Sequence, residues 1–167
     1  MQKIVYIIPG LGETCRSKRY KMLGQSIEEK GYTAVYCNPD WYQTVSSQIF
    51  KPEKDSIIIG FSFGAVIAYL IARKFKFKKV IFASLSPLKM ITHKELLEEY
   101  RKHMSLKEAK ILTDDVLSIK INLNKLKTKY VALKGSREEK EILADYIVQG
   151  VGHRLDANYI ESVIKLI

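Results

Sequence analysis

The chain has 167 residues, the length of one domain, and enough to bury a core without disulfide staples. Its 28 Lys and Arg against 18 Asp and Glu give a formal charge of +10. Such a charge attracts anions, but no zinc-finger spacing, RNP-like aromatic signature or long basic tail accompanies it, so no nucleic-acid partner is expected.

Cys15 and Cys37 form neither a CxxC pair nor a metal-ligand spacing and read as reduced thiols; no metal or other cofactor is expected. The apolar run 4–8 is too short for a signal-peptide core, and no stretch is long enough to span a membrane. A soluble, cytoplasmic protein of unknown oligomeric state is the expectation.

Short β-branched runs alternate with longer segments of helical period, the pattern of an α/β domain with a parallel sheet. A first strand is predicted over 3–8, broken by Pro9-Gly10-Leu11-Gly12. A helix follows over 16–30, with Gly31 as its cap. A second strand over 32–37 stops at Asn38-Pro39-Asp40, and a loop with a short helix covers 41–50.

A third strand over 56–59 runs into Gly60-Phe61-Ser62-Phe63-Gly64 and then a helix over 64–75. The basic run Arg73-Lys74-Phe75-Lys76-Phe77-Lys78-Lys79 ends that helix and reads as a solvated face that complements the helix dipole. A fourth strand over 79–84 ends at Ser86-Pro87. The charged insertion 92–124 has helical period, with Leu96, Leu97, Tyr100 and Met104 on one face. A fifth strand over 129–133, a short helix over 138–143, a sixth strand over 145–149, the turn Gly150-Val151-Gly152-His153 and a closing helix over 158–167 complete the chain. The predicted sheet order is 2-1-3-4-5-6, doubly wound with helices on both faces.

The segment 60–64 carries the chemistry. Gly-x-Ser-x-Gly between a buried strand and a helix is a turn that raises the Ser62 hydroxyl above the sheet edge. Its glycines let strand and helix backbones pass close together. The adjacent helix N-terminus presents N–H groups to a developing oxyanion. A serine hydroxyl is a weak nucleophile at neutral pH and needs a base. His153, on a glycine-rich turn after a predicted strand, reaches the same sheet edge as Ser62 and is the candidate. His93 and His103 lie in the charged insertion and are expected to face solvent.

The chain order of Ser62, an acid after strand five and His153 after strand six resembles the α/β-hydrolase superfamily, in particular its small, nearly capless bacterial members. The resemblance covers nearly the whole chain. It implies one minimal α/β-hydrolase domain over 1–167 and a serine hydrolase of carboxylesterase or thioesterase type, with a small-molecule ester or thioester as substrate. The chain departs from the usual pattern in lacking two leading antiparallel strands, in reading Pro-Gly where many members have His-Gly, and in offering Glu where Asp is commoner. Its lid is at most the insertion 92–124.

The resemblance also implies an acid in the loop Lys134-Gly135-Ser136-Arg137-Glu138-Glu139, there to hold the histidine tautomer. Glu138 matches the family's Gly-x-x-Asp spacing and Glu139 is the alternative; Asp156 follows His153 too closely, and Asp40 ends strand two. The oxyanion donors implied are the backbone N–H of Phe63 and that of Leu11, with Gly12 as second choice. Phe61, Trp41 and Leu88, together with Tyr42 and Phe63, are candidates for the wall of a shallow, open pocket. The contrasting reading is an idle α/β-hydrolase scaffold that binds a protein partner.

Overall fold

The computed structural model describes residues 3–86, 88 and 91–167. Six strands form one sheet: β1 (Ile4–Ile8), β2 (Thr33–Tyr36), β3 (Ile57–Phe61), β4 (Lys79–Ala83), β5 (Tyr130–Gly135) and β6 (Tyr146–Val148). Their order is β2-β1-β3-β4-β5-β6, and every adjacent pair is parallel, as predicted. Register places Ile7 beside Ile59, Ile59 beside Ile81, and Ile81 beside Val131.

β3 is central and buried along its whole length, which is why it reads as an unbroken apolar run rather than an alternating one. Successive side chains feed opposite faces. Ile58, Val80, Phe82 and Ala132 pack beneath α2 (Phe63–Lys74), whose outer side is covered by α3 (His93–Arg101) and α4 (Leu106–Ser118). Ile57, Ile59, Ile81, Ala83 and Leu133 pack beneath α1 (Lys18–Glu29) and α5 (Ala157–Ile164).

α1 is amphipathic, burying Tyr20, Leu23 and Ile27. α2 is buried on nearly every side, and Leu96 and Tyr100 of α3 and Ala109, Leu112 and Val116 of α4 belong to the same core cluster. Capping boxes start both covering helices, Thr92 with Glu95 and Ser105 with Glu108. Asp115 on α4 accepts from the Val45 amide at 2.7 Å and the Ser46 hydroxyl at 2.8 Å, tying the helix to a 3₁₀ turn over Val45–Gln48.

The basic run after α2 has Arg73, Lys74, Lys76 and Lys78 exposed and Phe77 buried. His93 and His103 are both exposed. Among the described residues, no helix is long and apolar enough to cross a membrane.

The helix predicted over 138–143 is absent: the segment is a series of turns. The Lys134 ammonium donates to the carbonyls of Glu139 and Lys140, at 3.1 and 3.2 Å, and the Glu138 side chain folds back to the Gly135 amide. A six-residue segment is too short to nucleate a helix against such competition. The insertion 92–124 is two helices and a 3₁₀ turn over Leu123–Lys125. Pro87, expected with Ser86 to end β4, lies outside the described residues.

The tightest backbone approach lies where α2 leaves β3. A Cβ on Gly64 would overlap the carbonyl oxygens of Pro9 and Ile8, and one on Gly60 would lie 2.5 Å from the Gly64 carbonyl oxygen. Gly64→Ala is therefore expected to lower unfolding stability by at least about 2 kcal/mol, the scale of overpacking against atoms that cannot yield. Gly152→Ala, whose Cβ meets nothing nearer than Arg137 at 3.9 Å, should stay within about 0.5 kcal/mol of the parent. Urea denaturation midpoints of the two variants check the contrast.

Candidate active site

In a parallel sheet every strand ends at the same edge, so the loops after β1, β3, β4, β5 and β6 converge there. Ser62 follows β3 with φ 54° and ψ −119°, a left-handed backbone that costs a non-glycine residue roughly 1–2 kcal/mol. Its amide continues the ladder to the Ala83 carbonyl at 2.8 Å while its side chain turns up from the edge. The elbow is held by the close packing of Gly60 and Gly64 on either side.

His153 lies on the turn after β6, and its Nε2 is 2.7 Å from the Ser62 Oγ. Its Nδ1 is 2.5 Å from Glu138 Oε1. The two contacts are complementary: Nδ1–H donates to the carboxylate, which leaves Nε2 free to accept from the serine hydroxyl. One side of the ring packs near Phe61, with centroids 5.3 Å apart, while 48% of the side chain is exposed to solvent.

The Glu138 side chain is only 1% exposed. Besides His153 it accepts from the Gly135 amide and, at 2.8 Å, from the Ser84 hydroxyl. Burial pushes its carboxyl upward, but the hydrogen bonds from His153, Gly135 and Ser84 together outweigh burial and hold it below the usual carboxylate range. The alternative acids lie elsewhere. Glu139 is exposed, Asp156 caps α5 by accepting from the Tyr159 amide at 3.0 Å, and Asp40 accepts from the Tyr42 amide at 3.0 Å.

Sequence reasoning missed the support beneath Glu138. Ser84, fully buried with φ 53°, ends β4 one residue past the Phe61–Ala83 pair. Its Oγ lies 2.8 Å from the hydroxyl of the buried Tyr159 on α5, which donates to the Leu133 carbonyl at 2.9 Å. A serine ending the strand beside the elbow was the only local signal for this arrangement; the tyrosine gave none.

Across the elbow, the loop after β1 passes so close that a Cβ on Gly10 would be 3.3 Å from the Ser62 Cβ. Glu13 braces this loop. Its carboxylate accepts from the Tyr20 hydroxyl, the Arg19 guanidinium and, at 3.3 Å, the Gly10 amide. Its carbonyl accepts from Trp41 Nε1 at 3.1 Å. Among the described residues, neither the Leu11 nor the Phe63 N–H donates to a protein acceptor. That state is expected of Phe63 in the first turn of α2.

A groove of about 480 Å³ opens on the β4 side of Ser62. Leu88 lines it, as do Leu85, Ser86, Ile91, Leu117 and Leu143. The other expected wall residues lie outside it: Phe61 is buried against His153 and Tyr159, and Trp41 stacks edgewise on Phe63 at 6.0 Å. Tyr42 is exposed.

No protein-family model matches the chain, and no curated protein does. Solved structures do. MGS-MChE2, an α/β-hydrolase enzyme from a lagoon-sediment metagenome, superposes with a TM-score of 0.67 at 19% identity, over 99% of this chain and 89% of its own. Est1E from Butyrivibrio proteoclasticus gives 0.66 at 12% identity, over 99% and 85%. An extracellular α/β-hydrolase from a Paenibacillus species gives 0.61 at 12%, over 99% and 98%. At these identities the likeness is one of architecture, and the chain has the fold of the α/β-hydrolase superfamily.

Proposed function

We propose that the chain is a serine hydrolase that cleaves a small ester or thioester through an acyl-serine intermediate. The observation that carries this reading is the continuous run of short contacts from the buried carboxylate of Glu138 through both ring nitrogens of His153 to the Ser62 hydroxyl. In this reading Ser62 attacks the acyl carbon while His153 Nε2 takes its proton. Glu138 holds the imidazole by its other nitrogen and stabilises the imidazolium. The Phe63 and Leu11 amides face the oxyanion, a role that fits their lack of protein acceptors.

His153 then returns the proton to the departing alcohol or thiol. A water molecule, deprotonated by the same nitrogen, attacks the acyl carbon and releases the acid and free Ser62. The half-exposed imidazole is open to that water. Est1E, one of the structures with this fold, has been captured with ferulic acid, an occupant consistent with a site that handles acyl groups.

Turnover of p-nitrophenyl acetate tests the assignment. Ser62→Ala is expected to lower kcat by roughly 10⁴–10⁶-fold while leaving the unfolding midpoint near the parent's. His153→Ala should cost nearly as much, because the two act as a unit. His93→Ala and His103→Ala should remain within about twofold of the parent, because both are exposed and neither is a hydrogen-bond partner of Ser62. Full turnover by Ser62→Ala would end the proposal.

Glu138→Gln should lower kcat by about 10⁴-fold through loss of the tautomer restraint, whereas Glu139→Gln should change little. Stability gives a second readout for Glu138. Its folded-state pKa lies below the unfolded one, so its ionised form stabilises the fold at neutral pH. That contribution is lost as pH falls below the ordinary carboxylate range and through the folded value. Glu138→Gln should therefore be less stable than the parent at pH 7, and its stability should decline less steeply toward acid. Urea midpoints between pH 7 and 3 measure both.

A further inference from the structure

The groove beside Ser62 has a composition that the hydrolytic steps alone do not require. Ile91, Leu117, Ile119 and Ile121 are half-buried around it, and Leu143 at its rim is 56% exposed. A concave surface lined mainly by leucine and isoleucine beside a nucleophile can receive an apolar group. The groove also has a direct connection to the elbow. Ser86 lines it, and the Ser86 Oγ is 3.5 Å from the Ser62 Oγ.

Sheet order fixes the sides of the elbow. β3 lies between β1 and β4, so the Leu11 loop stands on one flank of Ser62 and the groove on the other. An acyl carbon bound to Ser62 Oγ has two further polar neighbours to place. Its oxygen faces the Leu11 and Phe63 amides, and its leaving group faces His153, where the ring is open to solvent. The groove and His153 both lie on the β4–β6 half of the sheet, so the acyl chain takes the apolar groove that adjoins Ser62 through Ser86, and the leaving group takes the solvent-open side of the imidazole.

Resting on the hydrolase reading above, we propose that this groove is an acyl-chain site, and that esters or thioesters of aliphatic acids with a chain long enough to enter it, such as octanoate, are preferred over acetate. The alcohol or thiol portion lies on the open side and is read weakly. Among the described residues, Lys120 and Glu141 are the charged side chains on the groove wall, and most of the others are leucine or isoleucine.

The test is a series of p-nitrophenyl esters from acetate to octanoate, run beside octanoyl esters of differing alcohols. Each methylene moved from water into the groove should raise kcat/KM by about three- to fourfold. Changing the alcohol at fixed acyl chain should have a much smaller effect. Leu143→Lys, at an exposed position that tolerates a polar side chain, should lower the octanoate-to-acetate ratio by about tenfold.

Sodium octanoate should also raise the melting temperature of Ser62→Ala, and Leu143→Lys in the same background should reduce that rise. This binding readout does not depend on turnover. Ser62-dependent cleavage with a flat chain-length profile, or a ratio unmoved by Leu143→Lys, would overturn the acyl site and leave the hydrolase reading intact. If no ester is cleaved, the hydrolase reading fails, and octanoate binding then decides the groove by itself: a Leu143-sensitive rise supports an aliphatic-acid site, and no rise overturns it.

Discussion

The close passage of α2 over the ends of β1 and β3 is the constraint on which the rest depends. Gly60 and Gly64 are the positions where side chains would collide with backbone, and Ser62 between them is held in a left-handed conformation. The crossing sets three things together. It turns the serine hydroxyl up at the carboxyl edge, brings the loop after β1 against the serine, and leaves the first amide of α2 without a helical acceptor. The strain at Ser62 is sustained because the strand before it is buried along its whole length and the first turns of the helix after it are buried too.

A second constraint acts from the other half of the sheet. Glu138 is removed from water and supplied with donors by β5, β4 and the histidine turn. A carboxylate buried in this way is kept ionised by the donors around it, and an ionised carboxylate restrains an imidazole. Ser84 and Tyr159 extend the arrangement through the sheet into α5. The geometry at His153 therefore depends on packing on the α1–α5 face, while the groove depends on packing on the α2–α4 face.

These two faces differ in how far they could be anticipated. The elbow was legible because three isoleucines, two glycines and an apolar helix lie in one continuous stretch. The sheet order followed from six strand signals and the handedness of parallel crossovers. Ser62 and His153 could be placed at one edge because each follows a strand directly, whereas Glu138 was preferred over Glu139 only through the resemblance to the Gly-x-x-Asp spacing of the α/β-hydrolases. Ser84 was not legible as a support for Glu138, because its role needs a positive φ and a tyrosine 75 residues away in sequence. The groove was equally hidden: its walls come from three separate segments, after β4, at the end of α4 and after β5. The helix expected over 138–143 failed because a lysine and a buried carboxylate claimed the local backbone, a competition that periodicity does not register.

Covalent labelling by a fluorophosphonate probe, located by peptide mass spectrometry, tests the central claim most directly. It requires a nucleophile that is both activated and accessible, independent of the natural substrate. The account predicts one adduct, on the peptide carrying Ser62, absent in Ser62→Ala and strongly slowed in His153→Ala. A protein that remains unlabelled at neutral pH, or one labelled at another residue, would contradict it.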